Sequence, residues 1–281
     1  MKGSPQRPWL SIVVATWNAE ECLEKCIASF ADQVPNHAEL IIVDGGSTDG
    51  TLDIIRKRSS VVAKWVSEPD QGIADAWNKG VGLASGDWIL FLGADDQLYD
   101  HDTLFRLAKR LHALPAEVIV AYGEVLTEDE LGMPTGQWGK PWEVVGRQFG
   151  SYMALPHQGV FHRRSAFSIV GGFDIGYRYA ADYDWLLRAL KRHPPHFIGS
   201  LVVTRMRSGG LSSKPSLSWR VLSEFRRSRK KNGLPGITLL WLWTFIKALA
   251  KGAAAYLFGD RLVTKAIRLL HYRDKVPLST E

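Results

Sequence analysis

The sequence predicts an α/β fold with a mostly parallel sheet, followed by a helical C-terminal extension that is both basic and apolar. Short β-branched runs alternate with amphipathic segments through the first hundred residues, which is typical of βα units on a parallel sheet. Apolar residues make up 46% of the 281 residues and charged residues 23%, so the composition is that of a folded globular protein.

Four apolar runs in the first hundred residues are predicted to be core strands, and two more strands follow later. They span 10–15, 40–44, 61–66 and 88–92, then 117–126 and 197–206. Helices are predicted where apolar residues recur at 3.6-residue spacing, and these segments are 22–30, 51–57, 72–84, 102–111 and 182–192. The stretch 132–150, rich in Gly, Pro and Trp, is predicted to be loop.

The two cysteines, Cys22 and Cys26, lie on the apolar face of the first predicted helix, so we expect inert core thiols. So few cysteines, with no leader segment at the N-terminus, predict a cytosolic protein.

The net charge of +6 is unevenly distributed along the chain. Residues 1–217 have a net charge of −3, whereas residues 218–281 carry 13 Lys and Arg against 4 Asp and Glu, a net charge of +9. Such a tail suits an anionic membrane surface or nucleic acid. No recognisable nucleic-acid-binding module accompanies it, so no nucleic-acid partner is expected. The Ser- and Gly-rich stretch 208–218 predicts a boundary, with domains at 1–210 and 211–281.

Asp44 to Thr51 forms a glycine-rich segment directly after a predicted strand and before a helix. In open α/β sheets, ligands bind outside the carboxyl ends of the strands, so Asp44 can accept hydrogen bonds from a nucleotide base or ribose. A turn with a helix cap explains the same residues equally well.

Asp95 and Asp96 follow the strand 88–92 as two adjacent carboxylates. In extended chain their side chains point in opposite directions, so one can reach a ribose or phosphate while the other holds a divalent cation. One or two carboxylates with substrate phosphates are the usual environment of Mg²⁺ or Mn²⁺. The alternative for this pair is an exposed acidic turn.

Five blocks in a fixed order resemble the inverting glycosyltransferases of family 2, which have a GT-A fold and use nucleotide-diphosphate sugars. The resemblance runs from Ser11 to about Arg207. Its blocks are 14–18, 44–51, 67–73 with 76–80, 84–87 and 95–96. Trp17 stands where the family usually has Tyr, which keeps an aromatic ring at this position.

The resemblance implies a role for several of these residues. Asp96 is expected to hold the metal ion, Mg²⁺ or Mn²⁺. The residues expected to line the nucleotide pocket are Thr16, Asp44 and Asp95, with Asp70, Asn78 and Lys79 as further candidates. A solvated helix face explains Asn78 and Lys79 about as well.

The family's catalytic base lies in a Glu-Asp pair that opens a helix, and the matching residues here are Ala181 and Asp182. The lost Glu bears on acceptor or sugar contacts more than on the reaction. Asp184 is the nearest competitor, but on a helix starting at Asp182 it points about 200° away around the axis. The resemblance therefore implies Asp182 as the base that activates the acceptor hydroxyl for a single inverting displacement.

His157, Gln158 and Trp138 are candidates for contacts with the donor sugar or the acceptor. The histidine and its neighbour offer hydrogen-bonding groups, and Trp138 or Trp142 can stack on a sugar ring. The alternatives are a strand with satisfied side chains for 156–162 and aromatic rings that cover a core edge.

The segment 236–259 is apolar and nearly long enough to cross a bilayer, but Lys247 lies near its middle. Lys247 and Lys251 share one helical face, and tryptophans and a basic cluster lie alongside. This pattern favours a helix in the membrane interface, so residues 218–260 are expected to contact a membrane surface. The alternative is a helix packed on the catalytic domain or on a second subunit.

Together these features predict a metal-dependent inverting glycosyltransferase of the hexosyltransferase type in cell-surface polysaccharide synthesis. The donor is expected to be a nucleotide-diphosphate sugar and the acceptor a saccharide or lipid-linked saccharide. The expected location is cytoplasmic, peripheral on the inner face of the plasma membrane. One alternative is a non-catalytic nucleotide-sugar or glycan-binding protein on the same fold, which is favoured only if Ala181 marks a decayed site. The other is a nucleotidyltransferase, which releases pyrophosphate.

Overall fold

The computed structural model describes residues 7–33, 37–129, 131–191, 193–207, 214–237, 239–260 and 262–266. The chain divides into two compact units, Met1–Ser208 and Gly209–Glu281. The predicted boundary between residues 210 and 211 lies outside the described residues.

The described part of the first unit contains one mixed sheet of nine strands. They are β1 (Leu10–Thr16), β2 (Ala38–Asp44), β3 (Val62–Ser67), β4 (Trp88–Gly93), β5 (Gln97–Leu98), β6 (Val120–Glu128), β7 (Pro134–Trp138), β8 (Val160–Arg163) and β9 (His196–Arg207). Their order is β3-β2-β1-β4-β8-β6-β9-β5, and β7 pairs with β6 outside this path. The predicted α/β fold class is confirmed.

Strands β1 to β4 are parallel. The side chains of β1, β2 and β4 are buried along almost their whole length, as expected for strands covered by other elements on both faces. In the pairing register Thr16 lies opposite Asp44, Asp44 opposite Ser67, and Ala15 opposite Gly93. The carboxyl ends of these four strands therefore meet at one edge of the sheet, here termed the carboxyl edge.

Helices fill the connections between the strands. Those described in the first unit are α1 (Leu23–Ala31), α2 (Thr51–Lys57), α3 (Ile73–Leu83), α4 (Thr103–His112), α5 (Trp142–Phe149), α6 (Ala166–Val170) and α7 (Ala181–Ala189). Helix α1 buries Leu23, Cys26 and Ile27 in the main hydrophobic core. Burial raises the pKa of the Cys26 thiol, which agrees with the prediction of an inert core cysteine.

Helix α3 approaches the sheet most closely at Gly80. A Cβ atom placed on Gly80 would lie 2.3 Å from Cγ1 of Val13 on β1, whereas one placed on Gly82 would meet no atom within 4 Å. The close packing of α3 on β1 therefore requires glycine at position 80 but not at position 82.

The sheet continues beyond β4 with antiparallel pairs. Strand β8 pairs antiparallel with both β4 and β6, and β6 and β9 are parallel. The prediction of loop over 132–150 is wrong, because this stretch forms β7 and α5. Strand β7 is exposed along most of its length and α5 buries only Val145 and Phe149, so neither element shows a strong apolar pattern.

Glu39 ties the strands together at the edge of the sheet opposite the carboxyl edge. Its Oε1 atom accepts hydrogen bonds from the Ser11 hydroxyl at 2.6 Å and from the backbone and hydroxyl of Ser85 at 2.7 Å each. Lys64 forms an ion pair with Oε2 at 3.1 Å. Burial acts to raise the pKa of Glu39, but the hydrogen bonds from Ser11, Ser85 and Lys64 together hold that pKa below its usual range.

Two buried histidines lie in an aromatic cluster beside β4. His157 begins a short 3-10 helix, His157–Gly159, and stacks on Phe91 with ring centroids 5.9 Å apart. The ring of His162 on β8 lies 5.3 Å from that of His157 and 4.8 Å from that of Trp185 on α7. Burial lowers the pKa of His157 to about 3 and that of His162 well below its usual range, so both rings are neutral at pH 7.

The described part of the second unit contains a 3-10 helix, Pro215–Leu217, and two helices, α8 (Ser218–Lys231) and α9 (Leu239–Phe258). The Trp241 indole on α9 donates to the carbonyl oxygen of Leu222 on α8 at 3.3 Å. Within the described residues, no helix combines the length and apolar character that membrane crossing requires.

Gly80→Ala is expected to destabilise the protein by about 1–3 kcal/mol, because the added methyl group overlaps the Val13 side chain. Gly82→Ala, in the same helix, is expected to be neutral or to stabilise by up to about 1 kcal/mol, since alanine favours helix and the space is open. Urea denaturation measures both changes. Equal stabilities for the two variants would contradict the close approach of α3 to β1.

The two buried histidines predict a loss of stability in mild acid. Their folded pKa values lie below the unfolded value of about 6.5, so the unfolded chain binds more protons as the pH falls. Each is expected to lower the free energy of unfolding by up to about 1.4 kcal/mol per pH unit below about pH 6.5. Denaturation at several pH values gives the slope. His162→Phe should reduce the dependence of the free energy of unfolding on pH, even if the variant is more or less stable than the parent. An unchanged slope would contradict its assignment to the buried histidines.

Candidate active site

The polar residues singled out in the sequence lie at the carboxyl edge. Thr16 ends β1, Asp44 ends β2, and Asp95 and Asp96 follow the end of β4. Because β1, β2 and β4 are neighbours in the sheet, its folding brings together segments that are far apart in the sequence. This is the place where open α/β sheets bind ligands.

Asp44 is fully buried and holds the loop that follows β2. Its carboxylate accepts hydrogen bonds from the backbone of Gly46 at 3.1 Å and of Ser47 at 2.9 Å. The hydroxyls of Ser47 and Ser67 also donate to it, at 2.5 and 2.6 Å. Four donors from the chain itself therefore fix this carboxylate, and Asp44 sets the path of the loop that follows β2.

The loop after β1 is joined to the loop after β2. The Asn18 backbone donates to the Ser47 hydroxyl at 2.7 Å, and the Asn18 side-chain oxygen accepts from the Thr48 backbone at 2.9 Å. Asn18 adopts a positive φ of 47°, which asparagine tolerates better than most residues. The Thr16 hydroxyl beside this junction is buried and has no hydrogen-bond partner among the described residues.

Trp17 and Asp70 flank the backbone of Gly45. A Cβ atom on Gly45 would lie 2.6 Å from Oδ2 of Asp70 and 3.5 Å from Cδ1 of Trp17, so a side chain here would require the Asp70 carboxylate to move. Trp17 is 67% exposed, although large aromatic side chains are normally buried to a much greater extent. The pair offers an open aromatic ring beside a carboxylate, which suits the flat, hydrogen-bonding base of a nucleotide.

Trp17 was not among the candidate residues predicted from the sequence. The available signal was its place in the block 14–18, directly after Thr16 at the end of a strand, where ligands contact the loop. Its ring was interpreted only as a replacement for Tyr, because a sequence does not reveal which aromatic side chains remain exposed.

Asn78 and Lys79 make contacts within the chain. The Asn78 amide donates to the carbonyl oxygen of Phe173 at 2.9 Å and accepts from its backbone N–H at 2.8 Å. Lys79 forms ion pairs with Glu68 at 3.0 Å and Asp75 at 3.3 Å. Both side chains therefore connect the segments around the site, and their contact with a nucleotide stays a prediction.

Asp95 and Asp96 lie in a turn, and their carboxylates converge. A Cβ atom on Gly93 would lie 2.8 Å from Oδ1 of Asp95 and 3.3 Å from Oδ2 of Asp96. The expectation that the two side chains point in opposite directions is therefore wrong, because the chain stops being extended after Gly93. The backbone N–H of Gly93 donates to Asp96 at 2.8 Å and holds the turn closed.

The surroundings of Asp96 are unfavourable for a carboxylate without a counterion. Asp96 is 2% exposed, and its burial, followed by the charge of Asp95, raises its pKa well above the usual range. The ion pairs formed by the described residues all lie elsewhere. Two converging carboxylates with this deficit of positive charge fit a divalent cation.

The described residues contain no group of three or more His, Cys, Asp or Glu that could hold a metal ion. Two carboxylates are nevertheless the usual protein contribution where substrate phosphates and water complete the shell of Mg²⁺ or Mn²⁺. The donor set at Asp95 and Asp96 therefore fits a cation that binds together with a diphosphate.

Arg207 is a second residue at this edge that sequence reasoning missed. It ends β9, which runs parallel to β6. Burial raises the pKa of the Cys22 thiol, Asp95 raises it further, and the Arg207 charge acts in the opposite direction. The charges of Asp95 and Arg207 thus both act on this one thiol. A basic residue that ends a strand was the available signal.

Asp182 lies in the first turn of α7, half-buried, and its Oδ1 atom accepts the Tyr183 backbone N–H at 2.7 Å. The competing carboxylate, Asp184, is fully buried and forms an ion pair with Arg188 at 2.9 Å. Asp184 therefore belongs to an internal pair, whereas Asp182 keeps contact with solvent.

The end of α7 is joined to the helix that precedes it. Arg188, near its end, donates to the carbonyl oxygen of Val170, the last residue of α6. Helix α6 follows β8, whose last residue Arg163 pairs with Trp88, the first residue of β4. The end of α7 therefore contacts the end of α6, and the meeting of Asp182 with Asp95 and Asp96 at the carboxyl edge stays a prediction.

The three residues proposed for sugar or acceptor contacts have different surroundings. His157 is buried among the aromatic rings, and its side chain packs against Trp77 with ring centroids 4.7 Å apart. Gln158 is half-buried, and its backbone carbonyl accepts the Thr204 hydroxyl at 3.0 Å. Trp138 is exposed at the end of β7. His157 therefore packs in the core, although it lies in a 3-10 helix rather than a strand and its buried Nε2 atom has no hydrogen-bond partner among the described residues, whereas Gln158 and Trp138 keep accessible surface.

Residues 11–161 match the sequence family described as Glycosyl transferase family 2. A PGL/p-HBAD biosynthesis glycosyltransferase of Mycobacterium bovis is 35% identical over 212 residues, which cover 73% of this chain and 80% of the relative. The matched residues include the β1, β2 and β4 ends of the candidate site.

Solved structures share the fold at lower identity. Residues 1–349 of S. aureus TarS in complex with UDP-GlcNAc are 17% identical, with a TM-score of 0.60, covering 96% of this chain and 76% of that chain. The match covers only 39% of a longer TarS chain. The mannosyltransferase PcManGT of Pyrobaculum calidifontis in complex with GDP-Man and Mn2+ is also 17% identical, with a TM-score of 0.63, covering 96% and 81%.

The ordered blocks, the strand ends that they occupy and the extent of these matches agree with one another. This chain belongs to glycosyltransferase family 2, and it is a glycosyltransferase with a GT-A fold.

Proposed function

We propose that this glycosyltransferase moves a sugar from a nucleotide-diphosphate donor to a saccharide or lipid-linked saccharide, with a divalent cation and with inversion. The observation that carries the proposal is the convergence of the Asp95 and Asp96 carboxylates at the carboxyl edge. One further feature supports it, namely the exposed Trp17 ring beside Asp70.

The donor nucleoside is proposed to bind beside Gly45. The Trp17 ring offers a stacking surface, and Asp70 offers a carboxylate that can accept a hydrogen bond from the base. The buried Thr16 hydroxyl is a further donor at the same strand ends. Asp44 contributes indirectly, because its four hydrogen bonds set the path of the Gly45–Ser47 backbone.

Asp96 is proposed to hold Mg²⁺ or Mn²⁺ together with the donor diphosphate, with Asp95 beside it near the ribose or phosphates. A cation bound here supplies positive charge to the departing nucleoside diphosphate. It also relieves the repulsion between the two carboxylates, of which Asp96 is buried. Mn²⁺ is named with the nucleotide in the structure of PcManGT, which supports the same use here.

Asp182 is proposed to accept the proton of the acceptor hydroxyl as that oxygen attacks the anomeric carbon. A carboxylate in hydrogen-bond reach of the hydroxyl makes it a competent nucleophile. Attack from the face opposite the leaving group inverts the anomeric configuration in one step, and no covalent enzyme intermediate is needed.

The acceptor and the location of the enzyme follow from two further considerations. The Mycobacterium bovis relative is named for PGL/p-HBAD biosynthesis, which supports a role in making glycolipids or other cell-surface saccharides. The basic second unit supports a cytoplasmic enzyme that works at the inner face of the plasma membrane, where lipid-linked acceptors are found.

Asp96→Asn is expected to raise the stability of the cation-free protein and to abolish its stabilisation by a metal ion. The amide can still accept the Gly93 hydrogen bond, and it removes a buried charge, so the cation-free midpoint of thermal unfolding should rise by about 2–4 °C. The added stability that UDP or GDP with Mn²⁺ gives the parent should be lost. Asp32→Asn, on the surface, is the control. A variant that retains the Mn²⁺-dependent shift excludes Asp96 as the ligand.

Asp182→Asn is expected to lower kcat by about 10²–10⁴-fold while the donor dissociation constant stays within about twofold, because only the proton acceptor is lost. Radiolabelled sugar transfer and nucleotide titration measure the two quantities. Asp184→Asn is the matched control, expected to lower stability through Arg188 but not the kcat of the folded protein. A kcat in Asp182→Asn close to that of the parent would contradict the role of Asp182 as the base. Release of pyrophosphate instead of a nucleoside diphosphate would contradict the assignment as a glycosyltransferase reaction.

A further inference from the structure

Helix α9 has one face buried within the second unit. Its inward residues recur three or four positions apart, as on one side of a helix. They are Trp241, Phe245, Ala248, Gly252 and Ala255. A Cβ atom placed on Gly252 would lie 3.7 Å from the Trp219 side chain and 3.9 Å from the Pro215 backbone. The Trp241 indole donates a hydrogen bond to α8. At 100° per residue these positions fall within an arc of about 80°.

The opposite face of α9 is apolar and exposed. Apart from Phe258, which lies about 60° beyond them beside the lysines, its large exposed side chains fall within an arc of about 140° around the helix axis. They are Leu239, Leu242, Trp243, Ile246, Leu249, Tyr256 and Leu257, here termed the outer arc. Ala250 and Ala253 fill the positions between them and are also exposed. A continuous apolar surface along a helix of 20 residues, about 30 Å long, is unusual for a surface in contact with water.

Positive charge lies along one side of the outer arc. Lys247 and Lys251 are exposed and occupy the next positions around the helix, and the Lys247 ammonium lies 4.8 Å from the centre of the Trp243 ring. The described residues of α9 include no acidic side chain, and the last turn of α8 is basic. A surface that combines apolar bulk, aromatic rings and flanking lysines is complementary to the headgroup region of an anionic bilayer.

We propose that α9 lies in the plane of an anionic membrane, with the outer arc inserted among the upper acyl chains and Lys247 and Lys251 at the lipid phosphates. The inference deepens the proposed function, on which it rests for a lipid-linked acceptor, by naming the face that meets the lipid. The helix stays in the interface because its two lysines remain at headgroup level, and its inward face remains packed against α8.

A second copy of the chain is the competing occupant of the outer arc. Two such arcs facing each other would bring the Lys247 and Lys251 rows of both copies near one interface, where like charges repel. Anionic lipid headgroups instead neutralise these charges. The net charge of +9 over residues 218–281 adds to the attraction toward the lipid and to the repulsion between copies.

The test is co-sedimentation of the full chain with vesicles of phosphatidylcholine alone or mixed with phosphatidylglycerol. The parent should bind the mixed vesicles more tightly, and added salt should weaken this binding. Leu242→Gln with Ile246→Gln should lower the partition coefficient at least about tenfold. Lys247→Ala and Lys251→Ala should each lower binding to the mixed vesicles by about fivefold and leave binding to neutral vesicles unchanged.

Matched controls come from the first unit. Ile169 is 55% exposed on α6 and Ile246 is 51% exposed on α9, so Ile169→Gln makes the same change on a comparable surface. Lys57→Ala, exposed on α2, is the charge control. Both controls should bind vesicles like the parent, and thermal unfolding checks that every variant is folded.

Two results overturn the proposal. One is vesicle binding of the outer-arc variants equal to that of the parent. The other is a parent that sediments as a dimer, ignores vesicles and becomes a monomer in Leu242→Gln with Ile246→Gln, which assigns the arc to a second copy. Sugar transfer to a soluble saccharide is measured in parallel. Transfer without vesicle binding overturns only the membrane inference, and vesicle binding without any transfer overturns only the proposed reaction.

Discussion

The candidate site depends on one buried carboxylate that binds no ligand in the proposed mechanism. Asp44 accepts hydrogen bonds from backbone and hydroxyl groups of its own loop and from Ser67 at the end of β3. The Ser47 hydroxyl in turn accepts a hydrogen bond from the Asn18 backbone after β1. A buried carboxylate is stable only when donors surround it, so the loop has to close around Asp44. That closure leaves Gly45 between Trp17 and Asp70, where the proposed nucleoside surface is formed.

The two halves of the site have opposite electrostatic balance. At Asp44 the negative charge is satisfied from within, so the loop is complete before any ligand arrives. At Asp96 burial and the neighbouring Asp95 disfavour the charged form, and among the described residues only the Gly93 N–H donates to it. An unsatisfied group in an otherwise satisfied network is typical of a functional position, because the missing partner is supplied by a ligand.

The sequence predicted the parallel strands well, because β1, β2 and β4 are continuous apolar runs that only a buried strand explains. It failed where burial is one-sided or slight, as in β7 and α5, since Gly and Pro there outweighed a weak pattern. At Asp95 and Asp96 it identified the residues but assumed extended chain, and the turn after Gly93 reversed the geometry. Trp17 and Arg207 were missed, because exposure and distant electrostatic neighbours arise only when separate segments fold together.

The distribution of charge bears on why a cation is proposed for one part of the chain and not for the other. Residues 1–217 are net negative, and their proposed ligand, a nucleotide diphosphate, is negative too, so long-range attraction cannot bring the two together. A local positive charge at two converging carboxylates overcomes this, because a bound divalent cation is the largest charge in its surroundings. The basic residues after 217 face the opposite situation. Their proposed ligand is an extended anionic surface. Many dispersed lysines and arginines are enough to attract such a surface, and apolar contact with the lipid matters more than the exact position of each charge.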